Sequence, residues 1–286
     1  MITLGVIGGS GLYQMSGIER GEWIKVSTPF GDPSDDYFVG ETNGVKVVFL
    51  PRHGRGHRLL PSELNFRANI YGMKKLGVEH LIAVSAVGSL KKEIAPGHLV
   101  VPNQFIDRTR GRISTFFGRG IVAHVGFADP MCGNLIQLLG SAARSVGATA
   151  HVGGTYVCME GPQFSTRAES FLYRSWGADV IGMTNLQEAK LAREAEICFA
   201  TLALATDYDC WNTEAGDVVI EDILAILNQN VATAQHIIAQ VIPQLPPART
   251  CPCGHALKDA IITDRTMIPQ AVKQELGILI SKYLGE

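Results

Sequence analysis

Short runs of Val, Ile and Leu alternate along this chain with longer stretches in which apolar residues recur every three or four positions. The first pattern belongs to strands buried on both faces, the second to helices with one apolar side. Strands are predicted over 3–7, 45–50, 80–84, 99–106, 150–159, 180–183 and 197–205, and the thirty or so residues after the first strand read as hairpin. Helices are predicted over 61–75, which opens with a proline and an early acid, over 130–146, over 187–195, and from about 217 to 242. Strands interleaved with helices define an α/β fold, a sheet covered by helices. The stretch PQLPPART, near 244–250, is the one linker-like segment. It divides the chain into a domain over 1–243 and a C-terminal extension over 244–286, too short to be a domain and expected to pack on the main body or on a neighbouring subunit.

Composition narrows the function. The chain has 286 residues, and a hydrophobic fraction of 46% is ample for a buried core. The formal net charge is −2 with no long run of one sign, so neither nucleic acid nor an anionic membrane is an expected partner, and a small ligand is the default. The beginning, MITLGVIGGSG, lacks the features of a signal peptide, and no apolar run approaches the roughly 18 residues of a membrane span, so a cytoplasmic protein is expected. Cys132, Cys158, Cys198 and Cys210 lie in apolar segments and read as small core residues. Cys251 and Cys253 form a pair with His255 beside it, but no fourth ligand is close in sequence, so no metal site is expected.

Four predicted strands end in groups able to hold a phosphate. GVIGGSGLY, 5–13, is a strand entering a glycine turn, whose free N–H groups and Ser10 hydroxyl are donors; the dinucleotide fingerprint is only part-matched by Gly9 and Gly11. FLPRHGRGHRLLP sets Arg52, His53, Arg55, His57 and Arg58 after a strand, where the cations suit an anion or simply face solvent. AVSAVGSL offers Ser85 and backbone N–H groups. IGMTNLQEAKLA offers Thr184, for which helix capping is the alternative. Together they define one phosphate pocket. LALATDYDCW then presents Asp207 and Asp209 at a strand end, where residues i and i+2 project to one side. A carboxyl whose pKa is raised by burial can hand a proton to a heterocycle, the chemistry of a purine leaving group.

In this order GGSG, RHG, SAVGSL, EGPQFSTRAES, WGADVIGMT and ATDYDCW resemble the methylthioadenosine phosphorylase branch of the trimeric purine nucleoside phosphorylase family, over about 2–242. The resemblance implies a single α/β domain with a central mixed, twisted sheet flanked by helices and a C-terminal helical extension. It implies phosphorolysis, with inorganic phosphate as co-substrate and no metal or organic cofactor. Phosphate is then held by Ser10, Arg52, His53, Ser85, the backbone of Ala86, and Thr184. Phe164, Met159 and Met183 line base and sugar, and Asp207 and Asp209 face the purine, with Asp207 catalytic. The 6-oxopurine branch typically carries Glu at the position of Ser165 and Asn at that of Asp207, so both residues here favour a 6-aminopurine. Ile220, Ile223 and Leu224 fall where the methylthioadenosine branch holds apolar residues near the sulfur substituent; core packing is their other reading. Family members are homotrimers or dimers of trimers, and His124 stands where a residue reaches a neighbour's site. Methylthioinosine or another 6-oxopurine nucleoside is the alternative substrate, and a hydrolytic nucleosidase a further one. Some thermophilic relatives use a C-terminal C-x-C in disulfide chemistry, so Cys251 and Cys253 are expected to be either redox-active or inert thiols.

Overall fold

The computed structural model describes residues 2–9, 11–213 and 220–284, without the side chains of 13 and 220–225. The strands are β1 (Thr3–Gly8), β2 (Glu19–Ile24), β3 (Tyr37–Thr42), β4 (Val45–Pro51), β5 (His80–Ser89), β6 (Leu99–Val101), β7 (Gln104–Arg108), β8 (Ala150–Val152), β9 (Thr155–Met159), β10 (Val180–Gly182) and β11 (Cys198–Asp207). The helices are α1 (Phe66–Lys75), α2 (Gly133–Ser145), α3 (Arg167–Ser175), α4 (Leu186–Glu194), α5 (Ile220–Val241), α6 (Gln270–Glu275) and α7 (Gly277–Leu284). The sheet is mixed: β4, β1, β5 and β11 run parallel, while β10 is antiparallel to β5 and β6 antiparallel to β11.

β5 positions the site. Its first half pairs with β1, Leu4 to Ile7 lying against His80 to Ala83, whereas Ser89 and Gly88 pair with Val180 and Ile181 of β10. The strand therefore changes neighbour partway along, from β1 to β10, a switch of the kind beside which α/β sheets bind ligands. On its other side β5 pairs with β11 along nearly its whole length.

The strand expected over 80–84 runs on to Ser89, because β11 continues to pair with it beyond the end of β1. The strand expected over 99–106 is two, β6 and β7, separated at Pro102, which has no N–H for a ladder. The one expected over 150–159 breaks at Gly153 and Gly154, both at positive φ. α1 starts at Phe66 rather than at Pro61, because the Asn65 side chain caps it by accepting from Ala68 N–H. α3 was not anticipated, although Thr166 and Glu169 spell its capping box in the sequence. The segment after residue 244 contributes Leu257, Ile268, Val272, Leu276, Leu279 and Ile280 to the same core as β1 and β11. No helix among the described residues is long and apolar enough to cross a membrane.

Candidate active site

Arg52 leaves the end of β4 and is only 2% exposed, so its charge needs partners. Nε and Nη2 donate to the two carboxylate oxygens of Glu188 at 2.6 and 3.0 Å, Nη1 donates to Val84 O at 2.8 Å, and Nη2 also donates to Ile7 O at 3.3 Å. Four of its five N–H groups are therefore engaged, and one Nη1 proton remains for a ligand. Arg52 ties together β1, β4, β5 and α4, and its charge is balanced by Glu188, itself fully buried. Arg55 and Arg58 do not join it: Arg55 bonds Asp35 at 2.7 and 3.0 Å, and Arg58 donates to Ser34 O at 2.9 Å. The buried Asp35 carboxylate draws both toward itself, 2.7 Å from Arg55 and 3.7 Å from Arg58.

His53 donates from Nδ1 to Leu59 O at 2.8 Å, which leaves Nε2 as an acceptor in the neutral ring. Burial, with Arg52 and His57 close by, lowers its pKa to about 4. Ser85 lies where β5 changes neighbour. Asn185 Nδ2 donates to its Oγ at 2.7 Å, while Asn185 Oδ1 receives Thr201 Oγ1 at 3.5 Å. Ser85 Oγ also lies 3.5 Å from Tyr156 OH, so its hydroxyl proton can turn to that oxygen or to a ligand. Asn185 is also the N-cap residue of α4 at φ +79, so Thr184 is not the cap; its carbonyl accepts from Cys158 Sγ at 3.2 Å, and its residue is buried beside β10. Ala86 follows Ser85 in β5 and is exposed. Ser10 lies outside the described residues.

The acid pair sits at the far end of β11. The register slips between Ala205 and Asp207, a bulge at Thr206 that re-aims the strand end beside Gly88 of β5. Asp207 Oδ2 accepts from Thr206 Oγ1 at 2.7 Å and Oδ1 from Asp209 N–H at 2.7 Å. Alternation along a strand is not what brings the acids together. Asp209 lies beyond β11 at φ +49, and the Asp207 side chain closes a local turn onto its N–H. Burial raises the pKa of both acids, and each is pushed further by neighbouring negative charge, Asp209 on Asp207 and Glu169 on Asp209. The Ser170 and Ser165 hydroxyls offset part of this for Asp209, yet Asp209 Oδ2 and Ser170 Oγ are both buried without completing a hydrogen bond of good geometry. The neighbouring aromatics are struts: Tyr208 OH donates to Lys92 O, and Trp211 Nε1 to Ser89 O with Arg174 stacked 3.5 Å over its ring.

A third wall comes from the loop after β9. Arg112 donates to a Glu160 carboxylate oxygen at 3.1 Å, to Glu160 O, and to Met183 O at 2.6 Å, fixing the start of EGPQF against the end of β10. Gly161, at φ +68, packs so closely on Met183 that a Cβ would lie 2.4 Å from the sulfur. Ser165 Oγ meets Met159 Sδ at 3.7 Å and Ser165 O accepts from Cys210 Sγ, so Met159, Ser165 and the turn holding Asp209 form one surface. Phe164 is 51% exposed. His124 is exposed, its N–H bonded to Ala260 O, and among the described residues no hydrogen bond links it to the acids or to Arg52. Ile220, Ile223 and Leu224 belong to α5, but their side chains lie outside the described structure. Asn185, Arg112 and Gly88 were missed: each acts across tertiary contacts that no local pattern announces, though an Asn directly before a helix is a cap signal.

β5 thus carries hydroxyl and amide donors where it changes neighbour and two raised carboxyls beside its end. Residues 3–243 match the profile of the phosphorylase superfamily, and the chain belongs to it. It is 60% identical, over 99% of both chains, to the S-methyl-5'-thioadenosine phosphorylase of Geobacter sulfurreducens. It is 58% identical to that of Koribacter versatilis, over 99% of this chain and 97% of the relative. Among solved structures, a methylthioadenosine phosphorylase from an antarctic soil metagenomic library superposes with a TM-score of 0.94 at 47% identity, covering 98% of this chain and 99% of that one. The methylthioadenosine phosphorylase of Schistosoma mansoni in complex with adenine superposes with a TM-score of 0.82 at 34% identity, covering 98% of each chain.

Proposed function

We propose that the protein catalyses phosphorolysis of 5'-methylthioadenosine to adenine and 5-methylthioribose 1-phosphate, a pentosyl transfer of purine and methionine salvage. The observation that carries the reading is the placement along β5: Ser85 and Ala86 follow Val84, whose carbonyl accepts from Arg52, where the strand changes neighbour, and Gly88 lies under the acid pair. Two to three residues of strand separate them, about 7–10 Å, a span a ribose can bridge between phosphate and purine. In the reaction a phosphate oxygen forms the bond to the anomeric carbon as the bond to N9 breaks; the electron pair leaves with the base, and Asp207, whose pKa burial raises, stabilises N7 by a hydrogen bond or by proton transfer. Phosphate is consumed as co-substrate, and the step balances without metal or organic cofactor.

The remaining assignments belong to the same reading. Phosphate takes Ser10, the free Nη1 proton of Arg52, His53 Nε2, the Ser85 hydroxyl, Ala86 N–H and Thr184. Asp209 receives the purine amino group directly or through water, supported by its orphan oxygen. Met159, Phe164 and Met183 flank base and sugar, Ser165 leaves room for a 6-aminopurine, and Ile220, Ile223 and Leu224 supply an apolar wall for the methylthio group. Residues 1–243 act as the phosphorylase domain and 244–286 as an extension packed on it, in a cytoplasmic homotrimer or dimer of trimers where His124 reaches a neighbouring site. Exposed apolar side chains beside His124 support an interface: Val122 and Ile262, joined by a backbone hydrogen bond, are 44% and 64% exposed. Ile262→Asp is expected to shift sedimentation toward the monomer; an unchanged profile would place the interface elsewhere.

Product analysis with methylthioadenosine, with and without phosphate and with methylthioinosine in parallel, tests the reaction. Adenine plus a sugar 1-phosphate, only with phosphate and faster than from the inosine analogue, is the expected result. Adenine without phosphate would make the enzyme a hydrolase, and preference for the inosine analogue would overturn the reading of Asp207.

A further inference from the structure

Four cysteines that are far apart in the chain meet at the end of β11 opposite the acids. Cys132 is the N-cap residue of α2, Cys198 opens β11, and Cys251 and Cys253 bracket Pro252 in the C-terminal segment. Their four sulfurs all lie within 4.8 Å of one another, with Cys198 Sγ 3.2 Å from Cys251 Sγ. Cys132, Cys198 and Cys253 are buried and Cys251 partly so, and none is in a disulfide. A sulfur pair in a disulfide is about 2.05 Å apart, whereas four thiolates at about 2.3 Å from a tetrahedral zinc ion are roughly 3.8 Å apart. All four sulfurs within 4.8 Å of one another fit around one ion, and the 3.2 Å between Cys198 and Cys251 is too long for a disulfide bond.

The surroundings fit such a cage. A tetrathiolate zinc centre carries two net negative charges, so it needs donors and cations nearby. His80, 4% exposed, has a buried Nδ1 without a partner and shares with Cys132, Cys198, Cys251, Thr250 and Arg249 the wall of a cavity of about 400 Å³. Arg249 brings a guanidinium to the same wall, held by Glu196 O at 2.6 Å. At the N-cap of α2, Cys132 meets the positive end of the helix, which favours a thiolate. The sequence offered only three ligands because two of the four come from elements 53 and more residues away.

We propose that Cys132, Cys198, Cys251 and Cys253 form a closed tetrathiolate site for a structural zinc ion, which fastens the C-terminal segment to the foot of β11. Binding replaces the four thiol protons with one Zn²⁺ and releases the protons to solvent. The ten residues of β11 put the site about 30 Å from the acids, so it acts on stability and not on chemistry.

Metal analysis of protein purified under reductant without chelator is expected to give about one zinc per chain. Displacement by a mercurial should release it to a colorimetric zinc indicator, and cobalt loading of the wild-type chain should produce the intense visible bands of tetrahedral thiolate coordination. The double variant Cys251→Ser, Cys253→Ser is expected to lose the zinc and melt at lower temperature, while turning over methylthioadenosine within twofold of wild type at moderate temperature. Because the cobalt spectrum needs no variant, a poorly folding mutant leaves the proposal testable. Wild-type protein that holds no zinc while these four cysteines remain free thiols, or a peptide map showing them joined in disulfides and no zinc, would overturn it.

Discussion

At the scale of single residues the chemistry rests on protonation states that burial sets. Asp207 is held toward its neutral form by burial, against hydrogen bonds from Thr206 and the Asp209 amide that favour the charged one. Asp207→Asn keeps the shape and removes the proton to be donated. It is expected to lower kcat on methylthioadenosine by roughly 10²–10⁴-fold, to leave KM for phosphate nearly unchanged, and to raise relative turnover of methylthioinosine; steady-state kinetics on both nucleosides check this, and equal activity would remove Asp207 from proton transfer. His53 answers a different question. Its pKa of about 4 means that the free ring is neutral at pH 7, with only Nε2 able to accept. A bound phosphate anion favours the imidazolium, so binding should take up a fraction of a proton near neutral pH. Calorimetry in buffers of different ionisation enthalpy reads that uptake, and His53→Gln should abolish it; unchanged uptake in the variant would mean that the proton goes elsewhere.

At the scale of elements, β5 is the organising strand. A Cβ at Gly88 would stand 3.0 Å from Asp207 Oδ1 and 3.3 Å from Asp209 Cβ, so the bare backbone there is what lets both acids approach the sheet. Gly88→Ala should displace them and reduce kcat/KM by about tenfold or more, with little change in circular dichroism; wild-type kinetics would show that the acids tolerate a shift. This dependence also explains what the sequence made legible. Apolar runs located β1, β4, β10 and β11 because burial on both faces leaves a local signature. ATDYDCW was visible as chemistry because carboxyls directly after such a run are out of place. The turn that unites Asp207 with Asp209, the claim of Asp35 on Arg55, and the Asn185 bridge to Ser85 depend on partners 2, 20 and 100 residues away. Only the first of these distances lies within the reach of a local pattern, and even it required the bulge at Thr206 to be known.

At the scale of the whole molecule, the same burial that tunes the site leaves a mark on stability. Glu194 ends α4, the helix that begins at Asn185 and carries Glu188, and it pins the segment before Phe117: Thr115 Oγ1 and Phe116 N–H each donate to its carboxylate at 2.7 Å. Burial outweighs those two bonds and raises its pKa from 4.5 to about 7. The folded chain therefore keeps this proton between those two values while the unfolded chain loses it, so the unfolded state binds fewer protons and stability falls as pH rises through that window. The full effect, present above pH 7, is about 3 kcal/mol at most. His53 tilts the curve the other way at lower pH, since its depressed pKa makes the unfolded state the better proton binder between about 4 and 6.5, and stability there rises with pH. The two slopes overlap, so only a variant separates them. Glu194→Gln retains an acceptor for Phe116 N–H and offers a donor to Thr115 but cannot ionise. Urea unfolding without phosphate is expected to show the variant gaining on wild type between pH 5 and pH 8. A constant difference across that range would mean that Glu194 ionises in the folded state as readily as in water, and that the hold of α4 on the 115–117 segment is already that of a charged carboxylate.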